Sequence, residues 1–551
     1  MIDRDIHTAR ALLIEGNALL RSVTVAQLRD GGLGSVASAN GVRDARVMLE
    51  QQAFDIVVCS REFEGSNESG QDLLDELRRE HLLPQSTVFL MITAQAAYHQ
   101  VVEAAEGALD GLLVRPFTAA TLYQRLQEAR HRKRELSEVL NALDAGQTEI
   151  AFARALKRFQ DRLPFGNYCG RLAAELLITM GRPGDSRRVF EKLYDINQAP
   201  WAKLGVARTE LLSGNLPAAN RALQDVLAQD PESADAHDLL GRMLVEQCNF
   251  DGALEHYRAA AKLTPGCLLR VQHAGVLAFY QGQGLEARRW LERTVSMGMQ
   301  SKLFDALSLL LIAMLCLDDK DMAAVASTVA SLRKYQGRQP DSPRLRRLAA
   351  AAGIVAQLST GQTACAVEAL AQFSGTAGDD DFDLETATLL LMLWARTPPD
   401  AVQSAQHIAL VKKVGMRFCV AKATGEVLLA AARRTEPAQG LIRQCQAAVL
   451  ALSEAAMTRS MAGDAAGAVQ QLLTEGERTL NGKLLELAGL IARRHQAALG
   501  DAEALAARAA AGVRRSCSAN NQMAGIQRSG RAPGSLLLRG KAQDEAVHTT
   551  P

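Results

Sequence analysis

Small and ring-bearing residues recur 34 positions apart in the middle of this chain, and no single compact core carries such a period. Gly241 returns as Gly275, Ala219 as Ala253 and then Ala287, and Pro231 as Pro265. A fixed period of this length means one supersecondary unit repeated, each burying its apolar face against the next. Within one unit, Gly241 and Ala253 are small enough for two helices to approach closely. Tyr257 fills the gap to the next hairpin, and Pro265 ends the second helix. The same logic continues less regularly through Gly181, Ser186 and Phe190, through Gly361, Ala366 and Leu370, and through Gly463 with Ala468. The period fades between residues 375 and 445, where Gly378 to Asp381 and Thr397-Pro398-Pro399 are expected to be loops.

Leu240, Gly241, Phe250, Ala253, Tyr257, Ala260 and Pro265 stand at the consensus positions of the tetratricopeptide (TPR) repeat, which this stretch closely resembles. The resemblance implies an all-α TPR-type solenoid over residues 131–512, clearest over 200–300, that binds protein partners through a groove. The groove would be lined by the first helix of each hairpin, with Arg208, His237 and Arg242 exposed on it.

The first 130 residues obey a different rule. Five short apolar runs, Ala11 to Ile14, Ser35 to Ala39, Asp55 to Cys59, Thr87 to Ile92 and Gly111 to Val114, alternate with amphipathic segments. Those segments include Ala18–Asp30, Val42–Gln52 and Gln71–Glu80. Fully apolar strands alternating with helices predict a doubly wound α/β domain with a five-stranded parallel sheet. Function in such a sheet gathers outside the carboxyl ends of the strands. Gly32-Leu33-Gly34-Ser35-Val36-Ala37 has the spelling of a dinucleotide loop, but it follows a helix and enters a strand, so it reads as a helix cap and turn.

Ala11-Leu12-Leu13-Ile14-Glu15-Gly16-Asn17, Met91-Ile92-Thr93-Ala94 and Gly107 through Arg115-Pro116-Phe117 are similar, in order and position, to the receiver domains of response regulators. The resemblance covers residues 9–130 and implies a flavodoxin-like fold. In that family two acids after the first strand bind Mg²⁺ with a phospho-acceptor aspartate, while a threonine and a lysine hold the phosphoryl oxygens. Carried over, the acids become Glu15 and Gly16, the acceptor Ser60, the threonine Thr93 and the lysine Arg115. The resemblance also implies a cis peptide before Pro116.

These departures weaken the chemistry. Mg²⁺ wants several hard oxygens, and here Glu15 stands alone, with Glu62 nearby in sequence. A serine hydroxyl without an adjacent base is a poor nucleophile and cannot form an acyl phosphate. Arg115 keeps a cation with Glu15 as its natural counter-ion, giving a pocket closed by an internal ion pair. Two readings stay open for it: a vestigial edge, or a pocket retained for another ligand or for docking.

The remaining composition narrows the classes. A formal charge of +1 supplies no field to gather nucleic acid or coat a membrane. Nine scattered cysteines without a C-x-x-C pair suit neither a disulfide framework nor a zinc site, and ten dispersed histidines show no ligand spacing. No cofactor or metal is expected. The start of the chain has no apolar leader core, and Ala306 to Leu317 is too short to span a bilayer. The expected setting is therefore cytoplasmic. Arg130-His131-Arg132-Lys133-Arg134 reads preferentially as a solvated face of a linking helix, otherwise as an anionic-partner site or a junction. Residues 513–551 lack periodicity and are expected to be a disordered tail.

No G-x-S-x-G, H-E-x-x-H or Walker pattern occurs, so no enzyme is expected. The favoured function is a non-catalytic signalling adaptor of the response-regulator type in a bacterial two-component setting, acting through protein binding by its helical array. The alternative is a TPR assembly scaffold or chaperone-like protein for pilus, flagellar or secretion machinery, with a vestigial receiver.

Overall fold

The computed structural model describes residues 5–63, 70, 73, 74, 77, 83–94, 110–265, 267–299, 304–380 and 382–516. Its N-terminal sheet consists of β1 (Arg10–Ile14), β2 (Ser35–Ala39), β3 (Ile56–Ser60), β4 (Val88–Thr93) and β5 (Gly111–Val114), in the order β2-β1-β3-β4-β5. Every pairing is parallel. Successive side chains point to opposite faces, so both faces need cover. Leu12, Ile14, Val57, Cys59, Phe89 and Met91 pack beneath the helix Val42–Gln51 with Leu73, Leu74 and Leu77. Ala11, Leu13, Ile56, Val58, Leu90 and Ile92 pack beneath the helices Ala18–Asp30 and Ala119–Glu135 through Leu28, Leu122 and Leu126. The continuous apolar runs follow directly from this double burial. Most of the expected segment Gln71–Glu80, and Gly107 to Leu109, lie outside the described residues.

Strand β3 begins one residue later than its apolar run, after Asp55, whose carboxylate accepts the Arg10 N–H at 2.8 Å. The loop at Gly32 follows the helix Ala18–Asp30 and feeds β2, as expected, with Gly32 at φ +92° where a side chain would be strained.

From Ser137 to Ser516 every described element is helical. The period is most plainly visible in left-handed residues at the tips of helical hairpins: Gly181, Gly214, Cys248, Gly282, Lys320, Gly361 and Gly463 all have positive φ. Their spacing is near 34 at first and lengthens after Gly282, which is why the repeat fades from the sequence. Leu240, Gly241, Ala253, Tyr257 and Ala260 are all buried, and Pro265 follows the end of the helix Phe250–Leu263. A Cβ on Gly241 would lie 2.7 Å from the Tyr257 ring. Tyr257 also meets the next hairpin, its ring centroid 5.4 Å from that of His273. The apolar run near 306–317 forms the buried helix Leu307–Asp318. The last described helix, Ala502–Ser516, passes the expected boundary at 512; the rest of the expected tail lies outside the described residues.

Two expectations are corrected. The groove is filled where the repeat is clearest. The helix Lys422–Ala431 packs against Ala234–Glu246, Leu268–Tyr280 and Leu384–Trp394. Tyr280 bonds Thr388 at 2.9 Å, and Arg433 donates to the carbonyls of Phe279 and Tyr280 at 2.9 and 3.0 Å. Arg396 and Arg434 both chelate Asp318. Accordingly all eleven residues of Leu384–Trp394 are buried. Arg208, expected on an open groove, is 2% exposed and paired with Glu175 at 2.5 Å. The stretch 375–445, apart from short loops, is therefore helices returning onto the inner face of the array.

The basic run is a solvated face only in part: His131 and Arg134 are exposed, but Arg132 and Lys133 are held. Arg132 and Lys133 clamp Asp110, just before β5, at 2.6 and 3.1 Å. Lys133 also donates to the Gln85 carbonyl at 2.6 Å, and the Gln85 N–H donates to Asp144 at 2.8 Å. Arg132 lies over the Tyr168 ring at 5.5 Å, and His131 meets Phe165 edge-on. The run is a junction that fastens the sheet to the first helical hairpins.

Candidate functional site

The carboxyl ends of β1, β3 and β5 converge on one carboxylate. Glu15 follows β1, is 4% exposed, and fixes its backbone by donating to Ala39 O at 3.1 Å. Its Oε1 accepts the Asn17 N–H at 2.9 Å, and Asn17 in turn caps the helix Ala18–Asp30. Its Oε2 accepts two donors, the Ser60 hydroxyl at 2.6 Å and the Arg115 guanidinium at 2.6 Å. Ser60 ends β3 and is 2% exposed. Arg115 leaves β5 through a cis bond to Pro116, after which Thr118 caps the helix Ala119–Glu135.

Burial pushes the Glu15 carboxyl up, but the hydrogen bonds from Ser60, Arg115 and Asn17, with the Arg115 charge, win and hold it below its ordinary value. The buried Cys59 thiol beside it is pushed far up by desolvation and by the Glu15 charge. Thr93, fully buried at the end of β4, donates to Glu62 at 3.2 Å rather than to the Glu15 cluster, and the Arg115 N–H donates to Thr93 O at 2.9 Å. Gly16 makes no side-chain contribution, yet a Cβ there would meet Asn40 O and Phe63 at ordinary contact distance, 3.6 Å. The missing second acid is thus a choice of sequence and not forced by crowding.

Sequence reasoning named Glu15, Gly16, Ser60, Thr93, Arg115 and Pro116, and the structure brings Glu15, Ser60 and Arg115 into direct contact. It missed Asn17 and Arg21, whose guanidinium donates to Glu15 O at 2.7 Å. It missed Gly70 also, where a Cβ would lie 2.3 Å from Ser60 O. Asn17 before an amphipathic run was a legible cap signal; nothing local marks Gly70. A Mg²⁺ ion needs several free oxygens, and both oxygens of Glu15 are already taken by donors, one of them a cation. Among the described residues no group of three His, Cys, Asp or Glu lies together.

The family profile described as the response regulator receiver domain matches residues 11–127. The chain is 35% identical over 119 residues to the chemotaxis protein CheY-3 of Vibrio cholerae, covering 89% of that protein and 22% of this chain. It is 32% identical over 119 residues to the chemotaxis protein CheY of Pseudomonas aeruginosa, covering 94% of it and 22% of this chain. Among solved structures, CheY4 of Vibrio cholerae matches at 23% identity with a TM-score of 0.20, over 98% of that chain and 22% of this one. MamA matches at 22% identity with a TM-score of 0.25, over 93% of that chain and 29% of this one. The sheet order, the strand-end site and the curated relatives agree: through its N-terminal domain this chain belongs to the response regulator receiver family, with a signalling role in two-component systems.

Proposed function

We propose that this protein is a non-catalytic, cytoplasmic signalling adaptor whose receiver domain lacks the phospho-acceptor and whose TPR-like array supplies the output by binding protein. The observation that carries the reading is the shared Oε2 of Glu15. Ser60 stands at the strand end where the family places its aspartate, and its hydroxyl donates a hydrogen bond to that oxygen at 2.6 Å. Arg115 neutralises the same oxygen from the other side at 2.6 Å. An acceptor site needs a nucleophilic carboxylate and a metal to neutralise the incoming phosphoryl group. Here a neutral hydroxyl replaces the nucleophile, and an arginine occupies the Glu15 carboxylate that would otherwise face a metal. The residues do not fit a Mg²⁺ ion.

The output side follows from the helical array. Its inner face near residues 234–394 is occupied by the chain's own helices, so partner capture falls to its outer and C-terminal surfaces. The test is direct. Acetyl phosphate with Mg²⁺ should leave the intact mass unchanged, and beryllofluoride with Mg²⁺ should leave the melting temperature unmoved. Stoichiometric phosphorylation of residue 60 overturns the reading.

A further inference from the structure

The helix Glu436–Met461 is an outlier, with 26 residues where the next longest described helices have 17. It is about 39 Å long at 1.5 Å per residue. One stripe of it, including Ile442, Cys445, Val449 and Ala456, is buried against neighbouring hairpins. A second stripe runs along its exposed side. Arg443, Ala447, Leu450, Glu454, Met457 and Met461 are separated by four, three, four, three and four residues. That is the 3.5-residue spacing of a helix seam built to meet another helix. Solitary exposed apolar residues are ordinary, but Leu450, Met457 and Met461 are 51, 50 and 79% exposed on a single line.

The seam matches itself. Laid antiparallel against a second copy with the ends flush, Arg443 faces Glu454 of the copy, and Glu454 faces its Arg443. The same register sets Ala447 opposite Leu450 and Gly440 opposite Met457, a small residue against a large one, while Met461 faces Glu436 at the helix ends. Neither the Arg443 guanidinium nor the Glu454 carboxylate has an ion-pair partner among the described residues. A parallel pairing would bring arginine onto arginine and glutamate onto glutamate. Sliding the antiparallel pair by one heptad places Glu454 against Leu450 in one direction and against Glu436 in the other. Charge and size therefore select one register, and that register is two-fold symmetric, as an isologous dimer interface must be. The flanking Ala448, Ala451 and Ala455, all exposed, let the two backbones approach closely.

We propose that the protein is a homodimer through an antiparallel pairing of Glu436–Met461 with the same helix of a second copy. The partner is this chain, recognised by the Arg443–Glu454 pair made twice and by the apolar seam between. The test is sedimentation velocity of the full chain from sub-micromolar to about 100 μM, with Arg443→Glu, Glu454→Arg and the double exchange. Like charges set face to face should weaken the dimer by about tenfold or more in each single variant. The double exchange restores opposite charges in the same register and should recover the dimer. A monomer across the whole range, a dimer indifferent to both reversals, or a double exchange as weak as the singles overturns the proposal.

Discussion

Replacing Arg115 by alanine removes the cation paired with the Glu15 carboxylate. The carboxylate is 4% exposed and keeps two donors, the Ser60 hydroxyl and the Asn17 N–H. A hydrogen bond between charged groups contributes about 1.5–3 kcal/mol, and breaking a buried pair costs about 3–5 kcal/mol. The Arg115 side chain is 22% exposed, so the lower range applies, about 2–3 kcal/mol at neutral pH. For a unit of this size each kcal/mol shifts melting by roughly 3–6 °C, so the receiver transition should fall by about 6–18 °C. The effect must depend on pH. In the native protein Glu15 titrates below its ordinary value of 4.5, so its contribution is full above that value and is lost as pH falls through the lower folded value. Without Arg115 the balance tips toward the burial effect and the folded value rises, so the deficit at pH 7 shrinks as acid protonates the group in both states. Arg115→Lys should recover part of the loss. Thermal denaturation of the full chain, followed at pH 7 and pH 4, measures all of this. An unchanged transition at pH 7, or a deficit that persists undiminished at pH 4, refutes the account of the pocket.

Ser60→Asp should place two carboxylates against one arginine and destabilise the receiver at pH 7, the deficit easing on acidification; calorimetry across pH checks it. Gly16→Asp together with Ser60→Asp and Arg115→Lys should gain a Mg²⁺-dependent rise in melting temperature that the native chain lacks, since a side chain fits at position 16. Gly241→Leu should cost about 1–3 kcal/mol by overpacking, its Cβ falling 2.7 Å from the Tyr257 ring, read as a lower urea midpoint. At neutral pH iodoacetamide should label the exposed Cys365 and spare Cys59, whose thiol burial keeps protonated; peptide mass mapping tells them apart.

Both architectures were legible in the sequence because each rests on local periodicity. Apolar runs buried on both faces announced the parallel sheet, and Gly241, Ala253, Tyr257 and Pro265 announced the hairpin, since close helix approach demands small residues at fixed intervals. Glu15, Ser60 and Arg115 could be named because strand ends in a parallel sheet lie together by topology. What the sequence could not reveal depends on partners far apart along the chain. Arg208 looked like a groove residue until the fold set Glu175 beside it. The basic run looked solvated until β5 brought Asp110 onto Arg132 and Lys133. The region after residue 375 looked irregular because its helices answer to the inner surface of the array, and not to a 34-residue neighbour. Periodicity fixes which face of an element is apolar; only the tertiary structure decides which distant charge or helix covers the rest, because that is settled by where the chain returns in space.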